Sequence, residues 1–269
     1  MIGQFYDAEP EDIPSIMKQP VSAVELQKWP LKHGTYRAYD KNIEDMRISG
    51  LRADGGEPDE RSPHSSNYDR ALGRADYVFL APADFRFSYG SGAGGFLVDP
   101  DVLAMEGTVC ADQDIASAFE CLEMAVDGDG EDYVGPAKEP QTLIRMAEEL
   151  SANEAETVEA RVLRVLQTEE FLSHYRLYYQ DSVPILFSKI EASSRGESLF
   201  ELFNRTNLGV DAEILVPKRI PPEFILGHWN GQSFTKWSEP RHPNTQERLE
   251  VWISTLLKLR NRAAKAAQR

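Results

Sequence analysis

Short apolar stretches separated by polar turns run along most of this chain, and their spacing predicts both strands and helices. Residues 76–81 are rich in β-branched and aromatic side chains, which pack well on a pleated sheet, and residues 31–37 and 212–216 each look like a short strand that runs into a turn. A further strand is expected at residues 96–99, where Pro100 ends it, and residues 184–190 are expected to return to strand. The pattern therefore predicts several short strands spread over the whole chain.

Helical periodicity is clearest in the middle and at the end of the chain. Ser151 and Glu154 form a capping-box pair before a helical pattern. Short helices are expected near residues 21–28 and at residues 42–49, where Gly50 is the natural C-terminal stop. Two stripes have the i, i+3, i+4, i+7 spacing of amphipathic helices: Leu143, Met146, Ala147 and Leu150, and then Leu249, Trp252, Ile253, Leu256 and Leu257.

The elements fit an α+β protein with one domain over residues 1–269. Four prolines make residues 1–30 an irregular N-terminal arm. Residues 52–76 form a long polar loop, of the kind that often covers a binding site. Residues 101–205 are interpreted as a largely helical insertion, and residues 241–269 as a C-terminal helix.

Composition and charge exclude several classes of protein. A hydrophobic fraction of 41% favours a folded globular chain. The net charge of −15 argues against a broad nucleic-acid-binding face, although residues 241–269 carry seven basic and two acidic groups. No apolar run is long enough to span a bilayer, and the first residues lack the features of a secretory signal. A cytoplasmic protein without membrane contact is expected.

Sequence motifs for metals and phosphates are not convincing. The five histidines never pair at metal-ligand spacing, so no metal site is predicted. The acidic run at residues 127–132 has Asp132 where a calcium loop needs glycine. Residues 90–95 satisfy GxGxxG, but a strand rather than a helix is expected next, so a flexible turn is the better interpretation.

Two stretches about 180 residues apart carry the candidate chemistry. The first is Lys32-His33-Gly34-Thr35, followed by a short helix and Gly50-Leu51. The second runs from Ala212-Glu213-Ile214 to Pro222-Glu223-Phe224-Ile225. Together they resemble the opening and closing motifs of the ADP-ribosyltransferase superfamily, in its poly-ADP-ribose-polymerase-like and DarT-like branches. The resemblance covers residues 31–99 and 211–227.

The resemblance implies an antiparallel-rich split sheet around an NAD cleft, with the helical middle region as an insertion. It implies that Glu213 is catalytic, because a carboxylate can balance the charge of an oxocarbenium-like centre. One residue departs from the family pattern, since Phe79 stands where a tyrosine is expected and lacks its hydroxyl. The residues implied to bind NAD are His33, Gly34, Thr35, Phe79, Ser88 and Tyr89.

The expected function is transfer of ADP-ribose from NAD to a macromolecular acceptor, protein or nucleic acid, by a bacterial toxin or effector. An antitoxin or immunity protein is a further expected partner. Three alternatives stay open: an NAD glycohydrolase, an RNA 2′-phosphotransferase with the same His-Gly-Thr opening, and a non-catalytic NAD-binding module. The −15 charge speaks against the phosphotransferase, and Phe79 is the best support for the non-catalytic module.

Overall fold

A computed structural model describes residues 13–35, 43–53, 73–82, 94–111, 182–205 and 212–266, with the single positions 160, 164, 168 and 169. The chain forms two compact units by its internal contacts. One comprises Met1–Arg52, Val78–Gln113 and Asp181–Arg269, and the other comprises Ala53–Tyr77 and Asp114–Gln180.

Strands and helices are both present in the described residues. The strands are β1 Leu31–Thr35, β2 Leu51–Arg52, β3 Tyr77–Pro82, β4 Gly94–Val98, β5 Val109–Ala111, β6 Glu213–Pro217, β7 Arg219–Ile220, β8 Ile225–Trp229 and β9 Phe234–Lys236. The α-helices are α1 Ala23–Leu26, α2 Ile43–Ser49, α3 Ser182–Ser193, α4 Leu199–Arg205 and α5 Pro243–Ala266, and shorter 3-10 helices cover Ser15–Lys18, Pro100–Ala104 and Pro222–Phe224.

Seven of these strands form one sheet in the order β5-β6-β3-β1-β4-β8-β9, and β2 pairs with β7 separately. The pairs β1–β3, β1–β4, β4–β8, β8–β9 and β5–β6 are all antiparallel. The protein is therefore α+β with a mostly antiparallel sheet, which confirms the fold class expected from the sequence at this level. The three strands on which the resemblance depends, β6, β3 and β1, are neighbours in the sheet, as predicted.

Apolar side chains on β4, β6 and β8 form the centre of the core. All five residues of β4 and all five of β8 are buried, and so are Ile214, Leu215 and Val216 of β6. Runs buried on both faces do not show a strict alternation of polar and apolar positions. This burial explains why the sequence of these strands is almost uniformly apolar.

Helix α2 and helix α5 agree closely with their sequence signals. Gly50 has a φ of 82° and its N–H donates to the carbonyl oxygen of Met46, which ends α2 as glycine does after many helices. In α5, Leu249, Trp252 and Leu256 are buried. The C-terminal stripe is thus a packing face, as its periodicity predicted.

An ion pair joins α5 to α1. The guanidinium of Arg248 donates to the Glu25 carboxylate, and it lies 6.0 Å from the centre of the Trp29 ring. Lys28 also donates to Glu25, at 2.7 Å. The Lys28 hydrogen bond contributes most to lowering the pKa of Glu25, burial opposes it, and Arg248 adds to the lowering.

The sequence prediction of a strand at residues 184–190 is wrong, because these residues belong to helix α3. Pro184 lies in the first turn of that helix, where a backbone N–H makes no hydrogen bond within the helix, so the missing N–H of proline is tolerated. Leu186, Phe187 and Ile190 are buried along one side. Tertiary packing therefore outweighs the β-propensity of this apolar run, and the run forms a helix. Strand β5 lies near the start of residues 101–205, the range interpreted as a largely helical insertion.

Strand β4 begins at Gly94, so the glycine-rich stretch is followed by a strand, as predicted, and not by the helix that a dinucleotide-binding motif requires. Among the helices of the described residues, none has the length and apolar composition needed to cross a bilayer.

Candidate functional site

His33 lies on the central strand β1 and its ring binds the neighbouring strand. Its Nδ1 is 2.7 Å from the carbonyl oxygen of Phe79 on β3. A carbonyl oxygen has no hydrogen to donate, so Nδ1 must carry the proton of this bond. In the neutral imidazole, Nε2 then has a free lone pair and accepts hydrogen bonds.

Burial keeps His33 neutral. Withdrawal of the ring from water lowers the pKa of His33 below its usual value, and the bond to the Phe79 carbonyl partly offsets this effect. The side chain nevertheless keeps a partly exposed surface. The result is a fixed, neutral imidazole that can accept a hydrogen bond from a hydroxyl group.

Phe79 contributes its backbone to this arrangement. Leu31 pairs with Pro82 across β1 and β3, so Leu80 and Val78 lie on the sheet face that carries His33, and the Phe79 side chain lies on the opposite face. The carbonyl of Phe79 orients the His33 ring. The missing hydroxyl at this position therefore does not affect the contact that Phe79 makes with His33.

Gly34 and Thr35 continue β1 beside two glycines of β4. Gly34 pairs with Gly95, and Thr35 pairs with Gly94. A Cβ added at Gly94 would lie 2.6 Å from the carbonyl oxygen of Trp229, so this position needs glycine. Gly94 and Gly95 are both buried, so glycine at this point allows the close packing of β4 against β8.

Glu213 is the first residue of β6 and is partly exposed. It pairs with Ala111 of β5. Strand β3 lies between β6, which carries Glu213, and β1, which carries His33. The backbones of β6 and β1 are therefore about 10 Å apart across the sheet. Ser88 and Tyr89, the other two expected NAD-binding residues, lie outside the described residues.

A row of rings crosses the sheet on the face of His33, and the sequence did not reveal it. His33 pairs with Phe96 of β4, and Phe96 pairs with His228 of β8. The ring centres of Phe96 and His228 are 4.9 Å apart. Trp237, which follows β9, lies 5.3 Å from Phe96 and 6.2 Å from His228 between ring centres, nearly parallel to the latter at 23°.

One signal in the sequence could have indicated this row. His228 is a polar residue inside the otherwise apolar stretch Ile225–Trp229, and a buried histidine requires a specific environment. Which rings face it depends on the register of three antiparallel strands that are distant in sequence. That register follows from tertiary structure, which local patterns do not contain.

No group of three or more histidine, cysteine, aspartate or glutamate side chains that could hold a metal ion occurs in the part of the chain that the structure describes. Comparison with protein-family models, with curated proteins and with solved structures finds no match for this chain. Its function is therefore inferred from its own residues and geometry.

Proposed function

We propose that this protein is an NAD-dependent ADP-ribosyltransferase that transfers ADP-ribose to a macromolecular acceptor. The observation that carries the proposal is the strand order β6-β3-β1. Strand β6, which begins with Glu213, lies beside β3, and the hydrogen bond between His33 and Phe79 joins β3 to β1. The resemblance in the sequence required these strands to meet, although β6 follows β3 by more than a hundred residues.

The chemistry at His33 fits one end of this substrate. NAD presents ribose hydroxyls, and the unprotonated Nε2 of a neutral imidazole accepts a hydrogen bond from such a group. The bond between Nδ1 and the Phe79 carbonyl fixes the tautomer before the ligand arrives. A preorganised acceptor does not lose rotational freedom on binding, which favours affinity.

Glu213 has the role of a catalytic carboxylate in this proposal. NAD supplies a glycosidic bond whose electron pair leaves with nicotinamide, so positive charge develops on the ribose carbon. A nearby carboxylate stabilises that charge electrostatically and can take the proton that the acceptor loses when its oxygen or nitrogen bonds to the ribose carbon. The partial exposure of Glu213 is compatible with contact to a ligand.

A label on the adenine ring of NAD tests the proposal directly. Incubation of the protein with labelled NAD and a cell lysate should transfer label to protein, RNA or DNA, and fractionation identifies the acceptor class. Release of free ADP-ribose without transfer would identify a glycohydrolase instead. NAD should also raise the melting temperature, since a ligand at 100 times its Kd stabilises the folded state by about 2.7 kcal/mol.

Two outcomes of this experiment contradict the proposal. If NAD is neither consumed nor bound at millimolar concentration, the protein is neither an ADP-ribosyltransferase nor an NAD glycohydrolase. If NAD binds and stabilises the protein but no bond is broken, the protein is a binding module that keeps the cleft without the reaction.

A further inference from the structure

Trp237 differs from the other tryptophans of the chain. Trp29, Trp229 and Trp252 are 5%, 3% and 0% exposed, whereas Trp237 is partly exposed. The chain contains four tryptophans, and all four lie in the described residues. Trp237 is therefore the tryptophan that is partly exposed to solvent.

The Trp237 indole is held in place from one side. Its ring lies against Phe96 and His228, both of which are buried. Its backbone N–H donates to the carbonyl oxygen of Leu226, and the adjacent Ser238 hydroxyl donates to the carbonyl of Ile225 at 2.7 Å. A ring fixed by packing and backbone hydrogen bonds is a preorganised surface for a second flat ring.

The position of Trp237 relative to the other candidate residues is set by the strand order. His33 is on β1, the strands β4 and β8 beneath Trp237 lie on one side of it, and β6 with Glu213 lies on the other side. Four strand intervals separate β6 from β8, which is about 19 Å. Across the sheet, Trp237 and Glu213 thus lie on opposite sides of β1.

We infer that Trp237, supported by Phe96 and His228, is a stacking platform for an adenine ring. The assignment of adenine rather than nicotinamide rests on the proposed function, in which Glu213 acts at the nicotinamide–ribose bond. The ring at the far end of the dinucleotide is then adenine. Stacking of a base on an aromatic side chain supplies affinity without needing a hydrogen-bonding pattern.

Adenosine monophosphate and nicotinamide mononucleotide are a matched pair of ligands for the test, because they share the ribose phosphate and differ in the ring. Each is titrated into the protein while tryptophan fluorescence is excited at the red edge of indole absorption. The adenine nucleotide should quench the emission of Trp237, and the nicotinamide nucleotide should have a much smaller effect. The same titration of Trp237→Phe assigns the quenched signal to this residue.

Three variants measure the contribution of stacking to affinity. Trp237→Ala should bind adenosine monophosphate about 5- to 150-fold more weakly, because removal of one base-stacking aromatic typically has this effect. Trp237→Phe keeps a flat ring and should retain most of the affinity. Phe234→Ala is the control, since Phe234 is a partly exposed aromatic that covers Gly227 on the opposite face of the sheet.

The outcomes separate this inference from the proposed function. Quenching by the nicotinamide nucleotide alone, or by neither nucleotide, overturns the adenine platform even if NAD is consumed. Unchanged affinity in a folded Trp237→Ala variant also overturns it. Selective quenching by adenosine monophosphate supports the platform even if no ADP-ribose is transferred. If Trp237→Ala does not fold, quenching of the parent protein by the two nucleotides still tests the adenine platform.

Discussion

The two flanks of the sheet beside β1 are built differently. On one flank, β1 pairs with β3 at Leu31–Pro82 and Lys32–Ala81, and the residues with candidate chemistry, His33, Phe79 and Glu213, are partly exposed. On the other flank, β1 pairs with β4 along its whole length and β4 pairs with β8, so that Phe96 and His228 are buried. The residues with candidate chemistry therefore keep contact with solvent on the first flank, whereas Phe96 and His228 on the second are shielded from it.

Effects on stability and on activity should therefore separate according to the burial of the substituted residue. Substitutions on β4 and β8 should lower the free energy of unfolding, because they disturb a packed interior. Substitutions of partly exposed residues on β1 and β6 should change ligand chemistry with less effect on stability.

Phe96→Ala should produce the largest change. The ring is fully buried and contacts both His228 and Trp237, so its loss should lower the free energy of unfolding by about 3–5 kcal/mol. Urea unfolding followed by circular dichroism measures this. Phe234→Ala, at a partly exposed position, is the control and should have a clearly smaller effect. Equal losses in the two variants would show that the burial of Phe96 does not determine its contribution to stability.

Glu213→Gln should act on turnover rather than on folding. The change keeps size and hydrogen-bonding capacity but removes the charge, so turnover of NAD should fall about 10²- to 10³-fold while the Kd for NAD changes little. Single-turnover kinetics and calorimetry separate the two quantities. Glu223→Gln, at an exposed position of the 3-10 helix that precedes β8, is the matched control. Near-normal turnover in Glu213→Gln would remove this carboxylate from the mechanism.

Gly227→Ala should weaken the junction of β8 and β9. An added Cβ would overlap the carbonyl oxygen of Thr235 and the ring of Phe234. Overpacking of this kind typically costs about 1–3 kcal/mol of stability. Thr235→Ala is the control, because its side chain is exposed and lies on the other face of the sheet. A Gly227→Ala variant as stable as the parent would indicate that β9 moves away without loss.

The pH dependence of stability should contain a contribution from His33. Its pKa is lowered in the folded state, so the unfolded chain binds more protons as pH falls below the usual value of about 6.5. The contribution to stability is fully present above that value and is lost as pH falls through the folded pKa. Urea unfolding between about pH 8 and about pH 5.5 should therefore show a weaker pH dependence in His33→Gln than in the parent. An identical dependence in both would mean that His33 is not responsible.

Strand β1, helix α2 with its Gly50 stop, and the apolar stripe of α5 were predictable because each has a local signal. A glycine after a helix and a 3.6-residue repeat depend on residues close in sequence. The adjacency of β1, β3 and β6 was predictable only through the family resemblance, since composition contains no information about strand order.

The parts that were missed depend on distant contacts. Residues 184–190 have the composition of a strand, but buried contacts of Leu186, Phe187 and Ile190 favour the helix. The row of His33, Phe96 and His228 requires that positions 33, 96 and 228 share one register. Neither outcome is encoded in a short window of sequence, so local reasoning could not reach them.

The ion pair between Arg248 and Glu25 joins positions 223 residues apart, and this has a consequence for the synthesis of the protein. A ribosome that adds about 5 to 20 residues per second takes between about 10 and about 45 seconds to cover that interval. During that time Glu25 and Trp29 are made but their partner helix is not. Strand β4 likewise has no hydrogen-bonding partner along one edge until β8 has been made. The sheet therefore completes only after β8 and β9 have been made, and until then the edge of β4 has unpaired backbone groups.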